Sequence, residues 1–429
     1  MEATKTDSVT SWRSSRLGTL AVACLAVFID MILYGIVIPI QPRLLTSSGV
    51  PDSSLDIHQA ILLASYALGM LVSTPIFGIL SDRTGNRQIP MLLGLAALAI
   101  STVSFAFVRT FRLLVAARVM QGVAGAATWV VGLAMVADAY PSDDGLGFAI
   151  GIVWSFHTIG GFLGPLVGGF FGEYYGLPYP FLLCAALSVV DLIARLVIKP
   201  PPPRPTTGQA TKKIGILAIM RNRKIFLTLI AILVYSGAFT AIESFVALWL
   251  EHDWGYSESK TSLFMLAFIL PNIIMGILIG WMADRVPRHK IIAAGLLLHG
   301  LATPLIPLSK NVVSLLIFSI MFGITSPIIG TPSTPLLVTL VEQQLGGSSY
   351  AQVYAVFNMT YSCGMIVGPW IVGVIKASYG FAWGMMVIAV VSVVFSPIFW
   401  FGCSVELSKK PVQNGEEHLL SNMIPREAA

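Results

Sequence analysis

Apolar residues in this chain come in long, nearly unbroken runs, and the polar residues cluster in the short gaps between them. Twelve runs are long enough to cross a bilayer as helices, at roughly 17–40, 59–80, 90–108, 113–137, 147–172, 180–199, 224–250, 261–281, 289–308, 311–341, 350–375 and 382–405. About 20 apolar residues span ~30 Å of hydrocarbon in a helix, whereas a barrel strand needs only about ten alternating ones. Run length therefore predicts an all-α integral membrane protein with twelve transmembrane helices.

Two landmarks recur at nearly the same offset. Gly78-Ile-Leu-Ser-Asp82-Arg83-Thr-Gly85-Asn-Arg87 returns as Gly280-Trp-Met-Ala-Asp284-Arg285-Val-Pro-Arg288, and Gly160-Gly-Phe-Leu-Gly164-Pro165-Leu-Val-Gly168 returns as Gly364-Met-Ile-Val-Gly368-Pro369-Trp-Ile-Val. Two unrelated landmarks repeating across about half the chain imply a duplicated unit, so the twelve helices fall into two pseudo-symmetric six-helix halves. Internal duplication in a membrane protein is the architecture of secondary transporters, with substrate bound between the repeats. The expected organisation is an N-terminal tail at 1–16, a first half at 17–199, a linker at 200–223, a second half at 224–405 and a C-terminal tail at 406–429. Pro200-Pro-Pro-Pro203-Arg-Pro205 keeps the head of the linker from being helical, and 214–220 reads as a short helix on the membrane surface. No stretch suits a soluble domain and no Walker-type phosphate loop occurs, so the expected energy source is a gradient and no enzymatic activity is expected.

Charge sets orientation. With the N-terminus in the cytoplasm, 18 of the 26 Lys and Arg residues fall in cytoplasmic segments, six fall on the far side, and Arg118 and Arg195 lie inside helices. This is the positive-inside pattern: both termini are expected in the cytoplasm, and the net charge of +5 reports topology rather than nucleic-acid binding. Cys24, Cys184, Cys363 and Cys403 are scattered singly, without metal spacing or a disulfide framework. No metal and no cofactor are expected. The expected partners are a small organic substrate, protons and the lipid bilayer, with the chain a monomer.

The Asp82 motif resembles the loop signature of the major facilitator superfamily. Arg118-Val-Met-Gln121-Gly122-Val-Ala-Gly125 is similar to that superfamily's fourth-helix motif, and Gly151, Gly160, Gly164-Pro165 and Gly168-Gly169 resemble the fifth-helix signature of its proton antiporters. Within the superfamily the likeness runs to the vesicular amine transporter branch and its drug:proton antiporter relatives, through Phe28-Ile-Asp30 with Val37-Ile-Pro39, Ala241-Ile-Glu243-Ser with Leu248-Trp249, Pro180 to Asp191, and Tyr354 to Asn358 followed by Gly368-Pro369. The resemblance implies the twelve-helix major facilitator fold and proton-coupled antiport. It also exposes departures. The branch pairs a lysine in its second helix with an aspartate in its eleventh, where this chain has Tyr66 and Asn358. The branch's tenth-helix aspartate falls at Gly330.

Asp30 and Glu243 remain as carboxylates deep in the bundle, one per half. An ionisable group at a helix centre costs at least ~2.5–3.5 kcal/mol, so each is a candidate for substrate binding or proton coupling. Burial disfavours the charged form of a carboxylate, and a group that binds either a cation or a proton makes the two compete. Arg118 is the buried cation, with Asp30, another acceptor or an anionic substrate as its partner. Asp191 and Arg195, four residues apart, read as a structural salt bridge. Tyr34, Tyr66, Trp129, Trp154, Asn272, Asn358 and Tyr361 are candidates for a cavity lining, where aromatic faces suit organic cations. His157 is a cavity candidate as a proton relay or as a satisfied interior histidine. Gly78, Asp82, Arg83, Arg87, Asp284 and Arg285 are expected to form a cytoplasmic gate, latched in one state and broken in the other. Gly160, Gly164, Pro165, Gly168, Gly368 and Pro369 are expected to permit close helix packing and a kink.

The leading expectation is thus a proton-coupled antiporter that exports or sequesters a drug, amine or secondary metabolite, in a plasma, vacuolar or vesicular membrane. The competing one is a facilitator or symporter for a neutral or anionic metabolite such as an organic acid. A membrane receptor without transport is the third class.

Overall fold

The computed structural model describes residues 15–84, 88–140, 146–197, 221–283, 285–345 and 350–403. Twelve α-helices occupy them: α1 (Arg16–Ser47), α2 (Leu55–Thr84), α3 (Gln88–Phe107), α4 (Phe111–Ala139), α5 (Leu146–Tyr175), α6 (Pro178–Val197), α7 (Arg223–Trp254), α8 (Glu258–Ala283), α9 (Arg288–Ala302), α10 (Val312–Leu345), α11 (Tyr350–Tyr379) and α12 (Phe381–Gly402). Only helices answer the bilayer's demand that every backbone N–H and C=O be satisfied within its own segment. Ten of the twelve are long and apolar enough to cross a membrane. Neither α5 nor α9 is among the ten; α9 has 15 residues and passes into a short 3-10 turn at Thr303–Leu305.

Several helices overrun their expected ends. The run read as 17–40 is a helix to Ser47 through Pro39 and Pro42, capped at its start by the Ser15 side chain, which accepts from the Gly18 N–H at 3.0 Å. The one read as 289–308 ends early instead, with Pro304 in the 3-10 turn that follows α9. The surface helix expected at 214–220 lies outside the described residues.

Buried and exposed positions separate as lipid requires. In α1, Ile29, Leu33, Ile36, Val37 and Ile40 are fully buried, because this helix is wrapped by α5, α4 and α6. Exposed apolar side chains such as Ile277, Trp370 and Phe401 lie on the peripheral faces. With lipid on the outside there is no hydrophobic gain from helix contact, so small residues and close backbone approach decide the packing.

The duplicated glycine motif shows how. A Cβ added at Gly160 or Gly164 would lie 2.5 Å from the Phe28 carbonyl oxygen or 2.7 Å from that of Ile32, so α5 rests directly on the α1 backbone. Pro165 packs on Gly35, and Gly168 rests on Ile36. The second copy does the same: Gly364 and Gly368 press onto Leu233 and Gly237, seating α11 on α7. Each half is thus built on one inner helix and one glycine-rich partner.

Gly164→Val is expected to destabilise the protein by about 1–3 kcal/mol through overpacking, with a lower thermal midpoint in detergent. Gly132→Ala in α4, where an added methyl meets nothing within 4 Å, should leave the midpoint unchanged or slightly raised.

Candidate functional site

Asp30 and Tyr34 are four residues apart on α1 and so share one face, turned toward α2, α4 and α7. Asp30 is completely buried, and Tyr34 is 8% exposed. The Tyr66 hydroxyl on α2 donates to Asp30 Oδ2 at 3.3 Å. The Tyr34 hydroxyl donates across the two halves to Glu243 Oε2 on α7 at 2.7 Å. The two tyrosine rings lie 5.0 Å apart, centroid to centroid. Gly122 and Gly125 make this convergence possible, since a Cβ at Gly125 would stand 2.7 Å from the Tyr66 hydroxyl and 3.3 Å from Asp30 Oδ2.

Arg118 completes the group from α4. Sequence reasoning offered Asp30 as one partner for it, and the described contacts place it elsewhere: Nη1 donates to Gln121 Oε1 and Nη2 to the Tyr34 carbonyl at 3.4 Å. Its guanidinium also sits over the rings of Tyr34, Tyr66 and Phe105, at 5.5, 5.8 and 5.7 Å from their centroids. Ring faces and neutral acceptors thus take the place of a direct ion pair. Tyr34 touches both the cation, through its carbonyl and ring, and a carboxylate, through its hydroxyl.

Beside this polar group stands an aromatic one. Trp129 on α4 and Trp154 and His157 on α5 pack with centroids 5.0–5.1 Å apart, and Phe357 on α11 approaches Trp154 at 6.4 Å. The series continues within the second half through Tyr361 to Tyr235 at 6.2 Å. Gly330 lies against the Tyr235 ring, and a Cβ there would stand 2.9 Å from it, so a side chain at this position would displace the end of Tyr235. Tyr66 and Asn358, the two neutral replacements, are not joined: Tyr66 serves Asp30, while Asn358 donates to Thr74 on α2 at 3.3 Å. Asn272 is half-buried on α8 and no described contact ties it to either group.

Of the expected gate, Arg87 and Asp284 lie outside the described residues, as do the side chains of Asp82 and Arg83. Gly78 lies on α2 facing Val130 of α4, and Arg285 covers the Trp281 ring at 3.8 Å. Described ion pairs between halves lie instead at the opposite end of the bundle, where α1, α5 and α11 finish and α2 and α8 begin. There Lys376 on α11 pairs with Asp56 on α2, and Arg43 on α1 reaches Glu258 on α8 at 3.5 Å. The Ser259 N–H donates to Glu173 Oε2 at 2.7 Å. Sequence reading passed over these residues; single opposite charges at facing helix ends were the signal. His299, which the sequence suggests as a satisfied interior histidine, is completely buried, with Nδ1 3.1 Å from the Thr325 hydroxyl. No group of three or more His, Cys, Asp or Glu placed to hold a metal occurs among the described residues.

The sequence model of the Major Facilitator Superfamily matches residues 23–251 and again 228–426. A synaptic vesicular amine transporter of Bos taurus is 28% identical over 368 residues, 83% of this chain and 69% of that protein. A probable vesicular acetylcholine transporter-B of Danio rerio is 29% identical over 386 residues, 88% of this chain and 78% of that protein. Among solved structures, a bacterial homologue of the human lysosomal transporter Spinster superposes with a TM-score of 0.71 at 17% identity, over 90% of this chain and 97% of that one. The human organic anion transporter TETRAN superposes at 0.69 and 15% identity, over 90% and 99%.

One charged pair near these groups is structural. Arg195 and Asp191 on α6 form an ion pair at 2.7 Å, and Arg195 Nη1 also donates to the Met91 carbonyl of α3 at 3.3 Å. Asp191→Asn leaves a buried cation without its counter-charge and should cost about 3–5 kcal/mol, read as a lower thermal midpoint. Replacing both partners, with Asp191→Asn and Arg195→Met, should recover much of that loss.

Proposed function

The chain belongs to the Major Facilitator Superfamily, and we propose that it is a secondary active transporter that exchanges protons for a small organic cation by alternating access. The observation that carries this reading is the pair of buried carboxylates, Asp30 from the first half and Glu243 from the second, each held by a tyrosine hydroxyl. A carboxylate out of water needs a proton or a cation to balance it. Two ligands competing for one balancing role are bound alternately, and that is the physical content of antiport. Trp129, Trp154, Phe357 and Tyr361 stand close by with faces suited to an organic cation, and His157 packs among them.

The two halves exchange access by rocking about this level. The Lys376–Asp56 pair and the Arg43, Glu258, Glu173 and Ser259 cluster hold one end closed. Opening that end requires them to part, while the Asp82 and Asp284 motifs latch the other end. Positive-inside charge puts the motif end and both termini in the cytoplasm. The relatives' vesicular names favour sequestration into a vesicle or vacuole over efflux from the cell or a multidrug role, with the chain acting as a monomer. The organisation into two halves at 17–199 and 224–405, joined by a linker at 200–223, belongs to the same reading. Transport of an organic acid is the second reading, favoured by one observation: Arg118 forms no ion pair with a carboxylate among the described contacts, so its charge is open to an anion.

The deciding experiment is collapse of a pH gradient in proteoliposomes, followed by an internal pH dye during addition of amines, cationic drugs and organic acids in turn. A cation is expected to trigger proton efflux, with Asp30→Asn abolishing it and Glu243→Gln strongly reducing it. Flux without proton movement, or flux untouched by Asp30→Asn, removes antiport. Flux of an organic acid that Arg118→Gln abolishes establishes the second reading.

A further inference from the structure

Three formal charges converge in the buried polar group: the Arg118 guanidinium and the carboxylates of Asp30 and Glu243. Arg118 acts electrostatically on both carboxylates. The other titratable groups nearby leave the net charge unchanged, although Arg195 acts electrostatically on Asp30 as Arg118 does. Asp191 and Arg195 on α6 neutralise each other. His157 on α5 packs its ring against Trp129 and Trp154, and His299 on α9 meets Thr325 and Phe322, so neither bonds a carboxylate among the described contacts. Tyr34 and Tyr66 contribute hydroxyl donors to the two carboxylates.

With both carboxylates ionised the group carries one net negative charge at 8% exposure or less. An unbalanced ion out of water costs several kcal/mol. One proton removes the imbalance. The hydrogen bonds say which carboxyl takes it. Glu243 accepts a 2.7 Å bond from Tyr34, the residue whose carbonyl and ring also meet Arg118. Asp30 has a weaker donor at 3.3 Å, and its Oδ1 is buried with no partner. A charged carboxylate needs short, strong donors. Glu243 has one and Asp30 does not.

We propose that Asp30 and Glu243 together hold a single proton in the unloaded protein, that Asp30 carries it, and that a singly charged organic cation replaces it one for one. This rests on the cation–proton exchange reading above. Facing one side of the membrane, the Asp30 O–H bond breaks and its proton passes to the water on that side. The carboxylate left behind accepts the cation, so that Arg118 and the cation balance two carboxylates. Facing the other side, a proton binds Asp30 and the cation leaves. One cation crosses one way and one proton the other, with no net charge moved.

Infrared spectroscopy of the purified protein in lipid, at neutral pH and without ligand, tests the charge count directly. The expected result is one protonated-carboxyl band from this group, shifted by isotope labelling of aspartate and unmoved by labelling of glutamate. Asp30→Asn should remove it. Glu243→Gln should remove it too, because the lone remaining carboxylate then balances Arg118 and gives up its proton. Arg118→Gln should raise the intensity about twofold, since both carboxyls are then neutral. A wild-type spectrum without the band, a band that survives Asp30→Asn, or one that survives Glu243→Gln overturns the proposal. Because this needs no substrate, it can fail while the vesicle assay still shows antiport, and the reverse. In proteoliposomes, uptake of ethidium, a fixed monovalent cation, should follow the pH gradient and ignore an imposed potassium–valinomycin potential. Uptake accelerated by an inside-positive potential means a second proton and overturns one-for-one exchange.

Discussion

A charge inside a bilayer must find its balance within reach of its own side chain, and this requirement organises the centre of the bundle. Asp30, Glu243 and Arg118 come from three helices in two halves, and none of them makes a direct ion pair with another among the described contacts. Tyrosine hydroxyls, a glutamine oxygen, a backbone carbonyl and three ring faces do the solvating instead. Short side chains would not span the gaps between α1, α2, α4 and α7. Two tyrosines and an arginine do, and Gly122 and Gly125 let α4 approach α2 closely enough for them to meet.

Around that centre the two halves are built alike and joined differently. Within each half, glycine against backbone locks α5 to α1 and α11 to α7 with almost no room to slide. Between halves, α2 packs along α11 and α5 along α8, and the described polar links there include one hydroxyl–carboxylate bond at the centre, the Asn358–Thr74 bond, and the charged contacts at one end. Backbone-tight contacts resist rearrangement, whereas exposed or half-exposed ion pairs contribute little net stability and exchange readily with water. Rigid halves whose polar links across the interface exchange readily with water suit a rocking motion.

The fold was legible because its signals are local. Run length gave twelve helices, and the repeated Gly-Pro motif gave the two halves and the expectation of close packing, though not that α5 would seat on α1 and α11 on α7. Asp30, Glu243 and Arg118 stood out because charges within apolar runs are costly and so conspicuous. Their partners did not. Nothing in the sequence says that Tyr66 turns to Asp30 rather than to Asn358, or that Arg118 prefers Gln121 and a carbonyl to a carboxylate, since those choices depend on how four helices are set against one another. Lys376 and Asp56 were missed for the same reason. Each reads as an ordinary flanking charge until α2 and α11 are placed side by side.

The exchange of an ion pair for two neutral residues has a consequence beyond the α2–α11 contact. A lysine at position 66 would bring a fourth charge to the centre and would compete with Arg118 for Asp30 and Glu243. Tyr66 brings a donor without a charge, and at 3.3 Å from Asp30 it supports the carboxyl without committing it to the ionised form. Asn358, without an ionic partner, donates to Thr74 across the packed α2–α11 interface. Gly330, beside the Tyr235 ring, brings no acid, so Arg118, Asp30 and Glu243 set the balance, with Arg195 acting on Asp30 from its pair with Asp191. Each neutral substitution narrows the number of protons the site can exchange, and together they leave Asp30 as the carboxyl with the most to gain from holding one.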